Sequence, residues 1–284
     1  MCLARSKWML VASVLFLPAI PPSVSSGRNL AYCQEAVTQP EQTFTEEEMQ
    51  QFLLTAKVTA FKQSSKGITH PYRLTLSDGR VTHDGSFQSV DDRRNSVILD
   101  DGSMQINFRD SYHFNIAAYE IAKLVGLGRM MPVTVERKWE GKTGSLTWWL
   151  KVKMDEKERR DKKIHPPDPE AWNRQMYRKR IFANLVGDTD PNLTNVLIDE
   201  NWVIYMIDFS RAFRQTDDVD PTDLIRCDRQ LLEKMRNLKE DDVKRTVGNH
   251  LTKPEINAVM KRRDKIVAYF EQMIKQKGES EALY

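Results

Sequence analysis

The chain has 284 residues, 40% hydrophobic and 29% charged, which is ordinary for a globular protein and enough for one large domain or two lobes. Its 43 basic and 40 acidic residues leave a net charge of +3, too balanced for nucleic acid to be an expected partner. Three cysteines, Cys2, Cys33 and Cys227, exclude a disulfide-built scaffold; Cys33 and Cys227 can pair or remain two separate thiols.

The N-terminus stands apart from the rest. Arg5 and Lys7 precede an apolar run from Trp8 to Ile20, and Pro21, Pro22 and small residues up to Gly27 follow. A basic start, a short apolar stretch and a small-residue exit predict an export signal over 1–27. The run is short of the roughly 20 apolar residues that span a bilayer. An uncleaved membrane anchor or a mis-called start codon is the alternative. Leu30-Ala31-Tyr32-Cys33 faintly resembles a lipid-attachment box, but Tyr32 is bulky where a small residue is wanted. Membrane contact is therefore expected only through an uncleaved signal or a lipid anchor. Residues 28–44 read as a linker.

Thr45 followed by Glu46-Glu47-Glu48 predicts a helix opened by a capping box. Strands are expected at Val58–Phe61, Tyr72–Leu76 and Arg80–Val90, the last two joined by a Ser77-Asp78-Gly79 turn. Val97–Leu99 and Met104–Phe108 predict another hairpin across Asp100-Asp101-Gly102. Asp110 to Leu127 reads as a helix capped by Asp110 or Ser111, with Phe114, Ala117, Ala118, Ile121, Leu124 and Val125 at helical spacing. Two strands follow, Met131–Trp139 and Gly144–Val152.

Asp155 to Lys163 is almost wholly charged and is expected to be a solvated connector. Asp168, with Pro169 at the first position, caps a helix running to about Val186. Asp220-Pro221-Thr222 opens a helical remainder, in which Ile256, Val259, Met260, Ile266, Val267, Phe270 and Ile274 recur at helical spacing. The order implies an α+β fold of two lobes, β-rich over 45–154 and mainly helical over 155–284. The five histidines, at 70, 83, 113, 165 and 250, show no zinc-binding spacing among themselves or with cysteine.

The stretch with the most chemistry is Gly187 to Phe209, "GDTDPNLTNVLIDENWVIYMIDF". Asp190 and Asn195 stand as D-x-x-x-x-N. In kinases that spacing has the Asp orient the nucleophile's hydroxyl and the Asn bind Mg²⁺. Val196-Leu197-Ile198, a turn at Asp199-Glu200-Asn201, and Trp202 to Ile207 predict a hairpin. Such a hairpin returns Asp208 to the end where Asn195 lies, so that both oxygens can reach one cation. Mg²⁺ takes hard oxygen ligands and completes its shell with water and substrate phosphate.

"NLVGDTDPNLTNVLID…IYMIDFSRAF" resembles the catalytic core of atypical kinases: the phosphoinositide-kinase-like group, HipA-type bacterial kinases and kinases of the secretory pathway. Their loop tends to read D-R-H-x-x-N, followed by I-D. Here Pro191 and Asn192 replace the Arg and His. The motif covers about residues 184 to 213, and element order extends it over 58 to 284. The resemblance implies that Asp190 is catalytic, that Asn195 and Asp208 hold Mg²⁺ or Mn²⁺, and that ATP is the co-substrate. Lys66-Gly67 then falls where a loop covers phosphates, against an ordinary hairpin loop. Glu120 falls where the family's helix carries its ion-pairing Glu, against a solvent-facing carboxylate. Trp148, Trp149 and Leu150 fall at an adenine-binding hinge, against simple packing. Gln88 stands where a phosphate-binding Lys is expected. A Gln hydrogen-bonds a phosphate without bringing charge; Lys66, Arg73 or Arg80 would have to supply it.

Two functions follow. One is a kinase transferring the γ-phosphoryl of Mg-ATP to a hydroxyl acceptor on protein, sugar or lipid headgroup. The other is a kinase-like pseudoenzyme that binds nucleotide or a partner. A metal-dependent hydrolase built on the same carboxylates ranks third, because Asn195 and the hairpin spacing fit it less well. Export would place any of them in a periplasmic, secreted or lumenal space.

Overall fold

The computed structural model describes residues 44–64, 71–98, 102, 104–188, 190 and 192–284. The expected signal and linker, Cys2, Cys33, Lys66 and Gly67 lie outside the described residues, apart from Phe44 at the linker's end. Helix α1 (Glu46–Thr55) starts at the capping box read from sequence: Thr45 Oγ1 accepts from the Glu48 N–H, and Glu48 accepts from the Thr45 N–H. Its buried Phe52 and Leu53 dock it on the sheet that follows.

That sheet has five antiparallel strands in the order β1-β2-β3-β7-β6. They are β1 (Lys57–Gln63), β2 (Tyr72–Ser77), β3 (Thr82–Gln88), β6 (Thr134–Trp139) and β7 (Lys142–Trp148). Between β3 and β6 the chain makes a separate hairpin, β4 (Asp91–Ile98) with β5 (Met104–Ser111), and then helix α2 (Tyr112–Leu124). Ser111, not Asp110, caps α2, accepting from the His113 N–H. Leu74, Leu76, Phe87 and Leu146 on the sheet and Ala117, Ala118 and Ile121 on α2 belong to one buried cluster. At about 25 cal/mol per Å² of apolar surface removed from water, such a layer is the main source of stability here. Gly144 sits where a Cβ would stand 2.4 Å from the Gln88 carbonyl oxygen, so close pairing of β7 with the end of β3 needs a residue without a side chain.

The remainder is mainly helical. β8 (Met154–Asp155), β9 (Val196–Ile198) and β10 (Ile204–Met206) form a small sheet in the order β10-β9-β8. Helices α3 (Glu156–Asp161), α4 (Pro169–Val186), α5 (Arg229–Asn237), α6 (Glu240–Val247), α7 (Lys253–Lys277) and α8 (Glu279–Ala282) complete it. Asp168 caps α4 as read from sequence, with Pro169 in its first turn.

The charged run from Asp155 to Lys163 is only in part the solvated connector expected: Lys157, Arg160, Asp161, Lys162 and Lys163 are exposed, but the run forms a helix with a buried carboxylate. Asp155 caps α3, and Glu156 is only 1% exposed. Arg159 and Arg160 both donate to the Glu156 carboxylate. Burial works to raise the Glu156 pKa, but these two guanidiniums more than cancel it and hold the carboxyl below its usual range. The Arg159 guanidinium also lies 4.9 Å from the centre of the Trp172 ring, tying α3 to α4. Cys227 is a free, buried thiol, and burial pushes its pKa far up. Among the described residues no helix is long and apolar enough to cross a membrane.

Candidate active site

The β9–β10 hairpin does what its sequence promised. Ile204 pairs with Ile198 and Met206 with Val196, and Asp199 Oδ1 accepts from the Asn201 and Val203 N–H groups to close the turn. The Ile207 N–H donates to the Asn195 carbonyl at 3.0 Å. The residue before Asp208 is thereby bonded to Asn195, and both side chains line one cleft.

Asp208 has φ +58°, a left-handed conformation costly for a residue with a Cβ. Its flanks hold it there. The Phe209 N–H donates to Asn115 Oδ1 at 2.8 Å, and the Ser210 carbonyl accepts from the Ser111 N–H at 2.8 Å. Phe209 is buried with its ring 5.5 Å from that of Phe182, edge to face. Asp208 is solvent-exposed, yet protein atoms crowd it densely. Burial is the first cause that raises its pKa, and the Asp110 and Asp190 carboxylates add to it. Asp110 is 5% exposed, takes Arg211 on Oδ2 at 3.2 Å and leaves Oδ1 without a protein partner. Three carboxylates within electrostatic reach of one another suit a bound cation.

The loop before β9 is a ladder of side-chain turns. Asp188 Oδ1 accepts from the Asp190 N–H, Asp190 Oδ1 from the Asn192 N–H, and Asn192 Oδ1 from the Thr194 N–H. Gly187 ends α4 at φ +62°, and a Cβ there would stand 2.7 Å from Cζ of Arg262. Arg262, fully buried on α7, donates to the carbonyls of Leu185, Arg214 and Thr216. A guanidinium in the core thus pins both the entry to this loop and the segment after Asp208. Burial pushes its pKa down to about 10.

Two cavities meet this loop. One, of about 670 Å³, is lined by Gln88, Asn115, Asn195, Asp208, Arg73 and Trp149 among others. The other, of about 490 Å³, is lined by Asp188, Asp190, Lys179, Arg180 and Arg214 among others. Asp190 lines the second and not the first. Asp188 is pushed up to about 7 chiefly by burial, which outweighs the lowering by the Asp190 N–H and Lys179; the Asp190 and Asp208 carboxylates add smaller upward pushes.

The fold has solved counterparts. A structure described as hydra Fam20 with sugar superposes with a TM-score of 0.63 at 16% identity, covering 84% of this chain and 91% of that one. The two share a kinase-like α+β fold. The Helicobacter pylori proinflammatory kinase CtkA also matches, with a TM-score of 0.49 at 9% identity over 79% of this chain and 98% of its own. By sequence, no family model and no curated protein matches the chain.

Within this kinase-like frame, β3 and α2 are the elements that carry a Lys–Glu ion pair in protein kinases. Gln88, at the end of β3, lines the cleft and accepts a short hydrogen bond on Oε1 from Asn115 Nδ2 of α2. Glu120 does not meet it. Five residues along a helix turn a side chain by about 140°, so Glu120 faces away from Asn115. It pairs instead with Lys123 at 2.9 Å. Asn115 is the residue that sequence reading missed. The signal was there, a polar side chain inside the apolar run from Phe114 to Ala118. Arg80 lies apart from the cleft lining and pairs with Asp78; Arg73 lines the cleft, pairs with Asp84 and stacks 4.3 Å over Trp149. Trp148 is 8% exposed and stacks on His83, while its edge, Trp149 and Leu150 line the cleft.

Proposed function

We propose that the protein is a divalent-metal-dependent phosphotransferase that moves the γ-phosphoryl of ATP to a hydroxyl acceptor. The observation that carries this reading is the hairpin bond from Ile207 to Asn195. It aligns an amide oxygen and a carboxylate on one cleft wall while Asp190 lines the neighbouring cavity. Asn195 and Asp208 are hard oxygen donors that fit and would hold Mg²⁺ or Mn²⁺, which would offset the charge of the phosphates. The larger cavity lies within the size range of small-molecule sites and is the nucleotide's place. Asp190, one cavity away, accepts or orients the acceptor hydroxyl's proton.

The charge that Gln88 lacks is assigned to Lys66 first and Arg73 second; Arg73 is the basic side chain among the described residues lining the cleft. The acceptor class to test first is a sugar hydroxyl, because the hydra Fam20 structure holds a sugar. Protein and lipid hydroxyls follow. Export rests on the Arg5–Gly27 pattern.

A second reading, a nucleotide-binding pseudoenzyme, is favoured by one observation: the β3–α2 contact is a neutral amide pair. One experiment separates the two. Calorimetry with Mg-ATP is run on wild type and Asp208→Ala, alongside turnover against sugar, peptide and lipid panels. The kinase reading expects wild-type binding and transfer, both lost in the variant. Binding without transfer supports the pseudoenzyme, and unchanged affinity in Asp208→Ala rejects the metal assignment.

A further inference from the structure

The histidines look scattered in sequence, but folding gathers two of them. His113, in the first turn of α2, and His250, in the turn between α6 and α7, are 137 residues apart and face each other, Nδ1 to Nδ1, at 3.0 Å. Glu136 on β6 brings a carboxylate oxygen to 3.9 Å from His250 Nδ1. One ligand atom from each of the three lies within 4.8 Å of the others. None of the three lines the cleft or the cavity beside Asp190.

We infer that His113, Glu136 and His250 form a transition-metal site, of zinc-like preference, separate from the kinase-like cleft. The donor set is two imidazoles and one carboxylate, which selects zinc and its neighbours over the all-oxygen ligand shells of Mg²⁺. The spacing is close to what such an ion needs. Ligands about 2.0–2.1 Å from a tetrahedral ion stand roughly 3.3 Å apart. The imidazole nitrogens are already near that separation, all three ligand atoms lie within 4.8 Å of one another, and the carboxylate oxygen 3.9 Å from His250 has to close by about half an ångström on that side. Two ring nitrogens at 3.0 Å cannot both carry hydrogens, so at least one lone pair already points into the gap. A plain histidine–histidine hydrogen bond would explain that contact alone; it gives no reason for the carboxylate at the third corner. With three protein ligands, the fourth position is left to water, consistent with a Glu136 side chain that is 45% exposed.

The site has a mechanical consequence. His113 is two residues before Asn115, which holds both Gln88 and the Phe209 N–H next to Asp208. Glu136 belongs to the five-stranded sheet and His250 to the helical part. A metal there clamps the start of α2 to both, and so fixes the helix that supports Asp208. The nearby Arg109 does not leave an unbalanced charge, because it pairs with Glu255 of α7 at 2.9 Å.

The test uses the full chain, stripped with a chelator and titrated with Co²⁺ and, separately, Zn²⁺. The expected result is one equivalent of Co²⁺ giving the visible bands of a four-coordinate ion without a thiolate charge-transfer band, and a Zn²⁺-dependent rise in melting temperature. Both signals are expected to be lost in His113→Gln/His250→Gln, weakened in Glu136→Gln, and kept in Asp208→Ala. Glu136→Gln leaves the histidine contact in place, so it reads the site even if the double variant folds poorly. Signals absent from wild type, unchanged in the double variant, or lost in Asp208→Ala overturn the proposal. The last of these moves the ion to the cleft without touching the kinase reading.

Discussion

The two walls of the cleft are built differently. The wall built by the β9–β10 hairpin holds Asn195 and Asp208, the proposed metal ligands, in register through ladder bonds three residues long. The wall built by β3 and α2 is joined through an amide pair, Gln88 with Asn115, where protein kinases carry a charged pair. The difference teaches where charge is costly. Asp208 opens to solvent and a cation can offset it, whereas Gln88 is 9% exposed and needs a fixed partner. A lysine buried there without a carboxylate facing it would lose hydration with no return. With Asn115 on α2 and Glu120 turned away, Gln is the self-consistent choice. The amide pair has a second role as well, since Asn115 uses its other polar atom, Oδ1, to hold the Phe209 N–H.

The sharpest test of the hairpin wall is Asp190→Asn. The variant keeps the shape and the acceptor oxygen for the Asn192 N–H but removes the charge. Transfer is expected to fall about 10²-fold or more while Mg-ATP affinity, read by calorimetry, stays nearly constant. Equal losses in rate and affinity would put Asp190 among the metal ligands and erase the division between the two cavities.

The support under that wall is tested by Arg262→Met. Three carbonyls, those of Leu185, Arg214 and Thr216, lose a charged donor, each such hydrogen bond being worth about 1.5–3 kcal/mol. A loss of about 3 kcal/mol or more is expected in chemical denaturation. A change below about 1 kcal/mol, on the order of an ordinary surface substitution, would mean that the loop before β9 holds its shape without α7.

The amide wall is probed by a cycle of four proteins: wild type, Gln88→Lys, Asn115→Asp and the double variant. Each single change places an unpaired charge in a tight site and is expected to lower the melting temperature. The double change restores an ion pair, and the carboxylate introduced by Asn115→Asp can still accept from the Phe209 N–H. A favourable coupling of about 0.5–3 kcal/mol is expected. Zero coupling would show that the two side chains do not act together. The double variant is also expected to transfer phosphoryl faster than wild type, since positive charge near developing phosphate charge is the larger catalytic term in such sites.

What was legible in the sequence was local. Thr45 with Glu48, Asp168 with Pro169, and the Asp199 turn each act within four residues, so their signals sit side by side in the chain. The hairpin that carries the proposed metal ligands was legible for the same reason, because its short turn brings Ile207 back to Asn195 and so sets Asp208 beside it. The charged run at 155–163 misled in part because Glu156 can be buried: Arg159 and Arg160, one turn away, both donate to it, Arg160 from the exposed side. Composition alone cannot tell a solvated charge from a paired one.

The sequence by itself determined the caps, the hairpins, the α+β order and the spacing of Asp190, Asn195 and Asp208, all of which rest on neighbours within one or two turns of chain. Only the tertiary structure decided which face of α2 meets β3, that Asn115 and not Glu120 reaches Gln88, that Arg262 closes on Gly187, and that His113 finds His250. Those contacts join residues 27, 75 and 137 positions apart. No local pattern encodes them; they follow from how the apolar faces of α2, α4 and α7 bury against the rest, and polar side chains are carried into contact by that packing.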